Sequence, residues 1–447
     1  MQPDELIKKQ GDFYQVPDIF SDIYGNISVA ETPNSPSWPI LRHHFEELTQ
    51  GSGLHVSTLA RTGVRSYTSP KEIYHILSRH DNVPKEDVRS QRSLKTLSND
   101  GKAILTFFNP LMPSECHSKK DGFTYLAAKG SCKPPLIWAP QASVNDYNRA
   151  FLVSVYGEKL VDSVAERLVA FQEQEKAAVK LWLQKQLQSR GFLRERAALV
   201  ASNLFSLSGM SGHYSALTSD APIEVTEGQK KMYCMAQSKE NQMLGQLVDT
   251  VGTLSSSMSD EQIESKLRGV DFIRAPLYVC APGVWMIIGK NPINDPNVKY
   301  VLNESWKGMI DFTDRDLVMT WDADAAYNPE VANAAQWTGW AVQREFKGSS
   351  VSWRLFDENK KIIKEDGSPV KIGSDDFIRH FGPDAFFDMK VCPIATGIPR
   401  AQLISGANAL CKERGEPVNF IGYLEHEYMN RSRKSFAHDT DSFDFGA

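Results

Sequence analysis

The chain has no apolar run of membrane-spanning length. Its most apolar stretches, such as PLYVCAPGVWMIIG (276–289), are short and broken by Pro and Gly. Its six cysteines (Cys116, Cys132, Cys234, Cys280, Cys392 and Cys411) include no C-x-x-C pair, so the closely spaced ligands of a structural zinc ribbon are missing. Cys116 beside His117 is the single suggestive neighbour pair, and two ligands do not make a site. The opening MQPDELIKKQGDFYQ is polar and of mixed charge, unlike a secretory signal. These absences predict a cytoplasmic protein with no membrane contact. A Walker loop is missing too: GVWMIIGKN (283–291) has one residue too many before Gly-Lys, and Asn291 stands where Ser or Thr belongs. No G-x-S-x-G nucleophile elbow occurs. Nor is there an excess of positive charge, the formal net charge being −5. Local basic clusters nonetheless exist, Lys85, Arg89, Arg92 and Lys95 in one and Lys119, Lys120, Lys129 and Lys133 in another. Each suits a phosphate backbone or plain solvated surface equally well.

What remains is ordinary globular material, 41% apolar and 23% charged over 447 residues, with room for two or three domains. Residues 1–38, rich in Pro, Asp, Asn and Ser, read as a flexible arm. A small α+β module is expected over 39–145, with short helices punctuated by Gly51 and Gly53. Its extended pieces are KAILTFFNP, GFTYLAAKG and PPLIWAP. Residues 146–220 read as a helical insertion, opened by one long helix from about 145 to 190. In it Val161, Val164, Leu168 and Phe171, then Val179, Leu183 and Leu187, recur at helical spacing up to a stop at Gly191. From 221 to 390 strands and helices alternate: PIEVT, APLYVCA, DLVMTW and SSVSWRLFD are strands, with helices after Glu227, over AAYNPEVANAAQWTGWAVQREF with Pro329 early in its first turn, and over SDDFIRHFGPDAFFDM. That order predicts an α/β fold with a parallel sheet flanked by helices. Residues 391–447 are a C-terminal extension closing on the acidic-aromatic tail HDTDSFDFGA.

In such sheets functional groups collect at the carboxyl ends of strands. Glu227 ends one predicted strand, and Asp322 with Asp324 lies just past another. Two carboxylates one residue apart on a strand-to-loop turn can face one hard cation, and Mg²⁺ (or Mn²⁺) typically takes one or two carboxylates plus substrate phosphates. Glu227 is then a general acid or base, or a further ligand. A D-x-D pair alone is common on acidic surface loops; its place at a strand end favours a site. Asp375 and Asp376, in GSDDFI, are further candidate outer ligands, although helix N-capping explains Asp375 equally well.

These segments resemble a known family. IEVTEGQKKMYCMAQ (223–237) is similar to the first TOPRIM motif of bacterial-type replicative primases, and LVMTWDADAAYNPEVANAA (317–335) to their D-x-D motif. IGSDDFIRHFGPDAF (372–386) is similar to a later acidic segment. GKAILTFFNP, FTYLAAKG and PPLIWAP resemble the basic subdomain that precedes TOPRIM, and the order of all the pieces is the same. TOPRIM-like primase domains of phage and plasmid replication proteins also open with a segment like Ser52-Gly53-Leu54 to Gly63-Val64-Arg65-Ser66. The likeness covers roughly 40–140 and 221–390.

The resemblance implies a TOPRIM-like fold and a Mg²⁺-dependent, primase-like nucleotidyltransferase of phage or plasmid DNA replication, acting on single-stranded DNA with nucleoside triphosphates. It implies catalytic Glu227, metal-binding Asp322, Asp324 and Asp375, and nucleic-acid or nucleotide contacts at Lys129, Lys133, Lys230 and Lys231. A helicase or other replication protein is a possible partner through the tail. The alternatives are a TOPRIM nuclease or nicking enzyme and a non-catalytic DNA-binding adaptor. Departures from the family pattern are Lys231 and Gly373, each in the place of an acidic residue, the missing zinc ribbon and the insertion at 146–220.

Overall fold

The computed structural model describes residues 8–10, 13–17, 37–62, 64–67, 104–109, 111–117, 135–217, 220–291, 293, 298–356, 360–363 and 371–440. The chain divides into two compact units. The first is Met1–Ala221 with Gly228–Pro282 and Glu304–Asp311, and the second is Pro222–Glu227 with Gly283–Asn303 and Phe312–Ala447.

In the first unit β1 (Lys8–Gln10), β2 (Phe13–Pro17) and β3 (Ser37–Leu41) form an antiparallel sheet, so the expected flexible arm contains strands. The polar bias of residues 1–38 hid the aromatic and β-branched run FYQV, which has the composition of a strand. A second antiparallel sheet joins β4 (Arg65–Tyr67), β5 (Ile104–Asn109) and β6 (Met112–His117). The predicted strand GFTYLAAKG lies outside the described residues, whereas PPLIWAP supplies β7 (Leu136–Ile137).

The single long helix expected from 145 to 190 is two, Asp146–Tyr156 and Glu158–Ser189, separated by Gly157 at φ +82°. Its apolar stripe is as read: Val161, Val164, Leu168, Phe171, Leu183 and Leu187 are buried, and only Val179 is half-buried. The helix Arg194–Leu207 follows and packs against Glu158–Ser189.

The chain is α/β, with a mostly parallel six-stranded sheet flanked by helices. The strands are β7, β8 (Ile223–Glu227), β9 (Leu277–Ala281), β12 (Asp316–Thr320), β13 (Ser350–Arg354) and β14 (Val391–Pro393), in the order β14-β13-β12-β8-β9-β7. A separate hairpin pairs β10 (Ile288–Lys290) with β11 (Tyr300–Leu302). In the second unit β8, β12 and β13 are parallel, and β14 closes that edge antiparallel to β13. β8 and β12 are buried along almost their whole length, as strands covered on both faces must be.

The helix expected from Ala325 begins at Pro329, after a separate short helical segment Ala323–Tyr327, and runs to Glu345, with Pro329 in its first turn and the Asn328 side chain accepting from Glu330 N–H. The expected final helix is two, Ser374–Phe381 and Pro383–Phe387, because Gly382 (φ +88°) precedes a proline that cannot donate to the first. Past residue 390, β14 and the helices Arg400–Arg414 and Phe420–Thr440 belong to the second unit.

Candidate functional site

The register of the parallel strands builds one acidic edge. Thr320 of β12 pairs with Thr226 of β8, so the two strands finish level, with Glu227 at one end and Asp322 two residues past the other. Gly228, at φ +94°, lets the chain leave β8 straight into helix Gln229–Gly252, a conformation that a side chain would strain. Glu227 is half-buried, and a Cβ on Gly283 would lie 3.9 Å from its Oε1, which places that turn over the carboxylate.

After β12 the backbone turns through the short helical segment Ala323–Tyr327. Asp322 is 8% exposed and Asp324 faces solvent. Between them stands a group that no sequence motif marked. Lys371 Nζ lies 3.3 Å from Asp322 Oδ2 and 3.3 Å from Asp324 Oδ1. Ala323 N–H donates to Ile372 O at 2.9 Å, which ties the 371–373 strand of chain to the D-x-D turn and brings the lysine there. Burial works against the charged ammonium, but Asp322 and then Asp324 outweigh it by charge and hydrogen bonding, and the Lys371 pKa stands above the ordinary lysine value.

The pair has some of what a hard divalent cation needs. Two carboxylate oxygens already converge on one positive charge, which is the protein share of a magnesium site that keeps most of its water. Among the described residues, however, no three His, Cys, Asp or Glu side chains converge as a ready cage. Glu227 and Asp375 are therefore not gathered with Asp322 and Asp324 into a preformed set, and the positive charge between the two aspartates is that of Lys371. Asp375 is 7% exposed in the first turn of helix Ser374–Phe381. It is Asp376 that serves the helix start, accepting from Gly373 N–H at 3.4 Å. Three buried polar atoms without a protein hydrogen-bond partner are chain neighbours of the acidic candidates: Thr226 Oγ1, Trp321 Nε1 and Ser374 Oγ. Orphaned buried donors are uncommon and mark places where water or a ligand completes the bonding.

Of the four basic candidates, Lys129 and Lys133 lie outside the described residues. Lys230 and Lys231 are in the first turn of Gln229–Gly252, where Lys230 is ion-paired with Glu47. The first-motif residues have other work. Gln237 Oε1 accepts from His55 N–H at 2.7 Å and from Thr58 Oγ1 at 2.6 Å, while its Nε2 donates to Gly53 O at 3.1 Å. One turn later Glu240 receives Arg61 in a two-pronged pair at 2.7 and 2.9 Å, and Glu175 takes the same guanidinium at 2.8 Å. Ser66 accepts from Leu41 N–H and bonds His44 Nδ1. The S-G-L to R-S segment is thus fastened to the first unit by its polar residues.

Sequence reading also missed Glu224, buried in β8. It accepts from Arg354 Nε at 2.8 Å, Arg354 Nη2 at 3.2 Å and Thr320 Oγ1 at 2.7 Å, which ties β8, β12 and β13 beneath the acidic edge. A glutamate in an otherwise apolar strand was the available signal. No family model, curated protein or solved structure matches the chain, so the functional reading rests on the site itself.

Proposed function

We propose that the chain is a TOPRIM-like, magnesium-dependent nucleotidyltransferase of the primase kind, acting on single-stranded DNA with nucleoside triphosphates. The observation that carries this reading is the convergence of Asp322 and Asp324 on one cationic centre at the carboxyl end of parallel strands, level with Glu227. A bound magnesium ion would orient the triphosphate and offset the charge that moves with the phosphoryl group. Asp322 and Asp324 would hold it in place of the Lys371 ammonium. Lys371, released from both carboxylates, is long enough to meet a phosphate oxygen nearby. Glu227, at the neighbouring strand end, would take the proton of the attacking hydroxyl.

The test is primer synthesis on single-stranded DNA with labelled nucleotides and Mg²⁺. Wild type extends primers, whereas Asp322→Ala and Asp324→Ala do not, although both melt like wild type. Full synthesis by either variant overturns the assignment.

One observation favours a second reading, a non-catalytic DNA-binding adaptor: the pair already carries its own counter-ion in Lys371. In that case wild type binds DNA, makes no primers and shows no Mg²⁺ heat in calorimetry. Cleavage of circular DNA with Mg²⁺ and no nucleotides would assign the same carboxylates to a nuclease.

A further inference from the structure

Four aromatic rings of the second unit follow one another in a row that no motif announced. Trp285, in the turn before β10, lies 5.5 Å between centroids from Tyr300 of β11; Tyr300 lies 5.5 Å from Trp337, and Trp337 5.4 Å from Trp340. The last two are three residues apart on helix Pro329–Glu345, so they share one face of it, and Arg344 follows four residues on. All four rings are half-buried. By contrast Trp138, Trp306, Trp321 and Trp353 are at most 2% exposed. A row of large rings that packs on itself yet stays open to solvent along its whole length is not core.

Cations attend the row. Lys299 Nζ is 5.2 Å from the Tyr300 centroid and the Arg344 guanidinium 5.1 Å from that of Trp340, and both residues are exposed. Trp340 is also held from behind: a Cβ on Gly397 would come within 2.8 Å of its Cδ1, so the indole rests on bare backbone. Rings fixed before binding lose little conformational freedom when a ligand arrives.

We infer that this row is a stacking platform for single-stranded DNA, with successive bases lying on Trp285, Tyr300, Trp337 and Trp340 and the phosphates meeting Lys299 and Arg344. Aromatic faces accept any base, and neighbouring cations follow the backbone; together they make a sequence-tolerant single-strand site. Lys299 and Arg344, the latter 3.6 Å from Glu345 Oε1, set positive charge beside the rings, which a purely apolar partner would not use. The platform deepens the primase-like reading by supplying a template surface built from none of the acidic-edge residues, and it rests on that reading only for its choice of DNA.

The experiment is fluorescence anisotropy of a labelled oligothymidylate titrated with the full chain, beside an abasic oligonucleotide of equal length. Wild type should bind the base-bearing strand about tenfold more tightly than the abasic one, the scale of one to two stacked bases. Trp337→Ala should lose most of that advantage and Trp337→Phe should keep it. Arg344→Ala, at an exposed position, should lower the salt dependence of binding by about one phosphate contact, a slope change near 0.7. Equal affinity for base-bearing and abasic strands, which needs no variant to fold, overturns the platform; so does preference for duplex. Primer synthesis by wild type reports separately on the acidic edge. Its absence alongside intact base-dependent binding overturns the polymerase and leaves the platform standing, whereas synthesis with base-independent binding does the reverse.

Discussion

Each unit of this molecule has a cation gripped by two carboxylates, and the two examples at Arg61 and Lys371 stand in opposite settings. In the first unit Arg61 lies between Glu240 and Glu175, packs over Trp138 at 5.0 Å and has its side chain only 11% exposed. In the second unit Lys371 lies between Asp322 and Asp324 with half of its side chain in solvent. Burial alone would lower the pKa of Arg61, yet Glu240 and Glu175 hold it above the ordinary arginine value. The two glutamates diverge. Burial wins at Glu175 and raises its pKa, whereas at Glu240 burial is outweighed by the two-pronged arginine and the pKa falls. Glu240 is the tighter partner, because it takes the guanidinium in a bidentate pair. Arg61 cannot leave without stranding buried charge, while Lys371 exchanges its carboxylates for water at little cost. The first cluster fastens helices, and the second is suited to give up its cation to another.

Removing the buried cation should give the largest effect. Arg61→Ala leaves Glu240 and Glu175 uncompensated and should cost about 3–5 kcal/mol. Urea unfolding checks it, and a loss under 1 kcal/mol would place the cluster with the exposed one. Next in size is a pH effect confined to the first unit. His213 is fully buried 3.7 Å from Glu240, and burial first, with Arg61 opposing the pull of Glu240, lowers its pKa to about 4. The unfolded chain takes up that proton near 6.5 and the folded one only near 4. Stability is therefore complete above the higher value and falls as the pH drops between the two, by on the order of 3 kcal/mol. His44, lowered to about 4 by burial and then by His43, adds a similar slope. Thermal melts from pH 7 to pH 4 should show the fall, and His213→Gln should remove about half of it. Identical profiles for variant and wild type would exclude His213.

Gly228→Ala ranks third. Nothing stands within 4 Å of the added Cβ, so its cost, about 1–3 kcal/mol, is the strain of φ +94° alone. A melt unchanged from wild type would mean that the turn after Glu227 relaxes. The smallest stability change belongs to Lys371→Ala, about 1 kcal/mol or less for a solvent-screened pair. Its signature is elsewhere: Mg²⁺ titrated calorimetrically should bind several-fold more tightly once the competing ammonium is gone. Unchanged or weaker Mg²⁺ binding would make Lys371 a plain surface pair and end the parallel with an exchangeable cation.

Much of the second unit was legible in the chain. The runs PIEVT, DLVMTW and SSVSWRLFD announce β8, β12 and β13, because their β-branched and aromatic residues suit a pleated, covered surface. Glu227 and Asp322 were readable as strand-end carboxylates for the same reason. The first unit was less legible. The arm concealed strands, and Gly157 split a helix whose apolar stripe continued across the break. The polar residues of S-G-L to R-S read as a motif, while their partners, Gln237 and Glu240, lie some 180 residues downstream.

By itself the sequence determined the local elements and the acids that end them, since periodicity, capping and strand composition are set by near neighbours. Tertiary structure alone decided which charges meet. Lys371 lies in the run KEDGSPVKIG, which reads as a surface loop, until the Ala323–Ile372 hydrogen bond sets it between Asp322 and Asp324. Glu224 and Arg354 are 130 residues apart until β8, β12 and β13 align. The aromatic row joins a hairpin to a helix in the same way. Such pairings depend on how strands are ordered and registered, which a linear pattern of residue types does not encode.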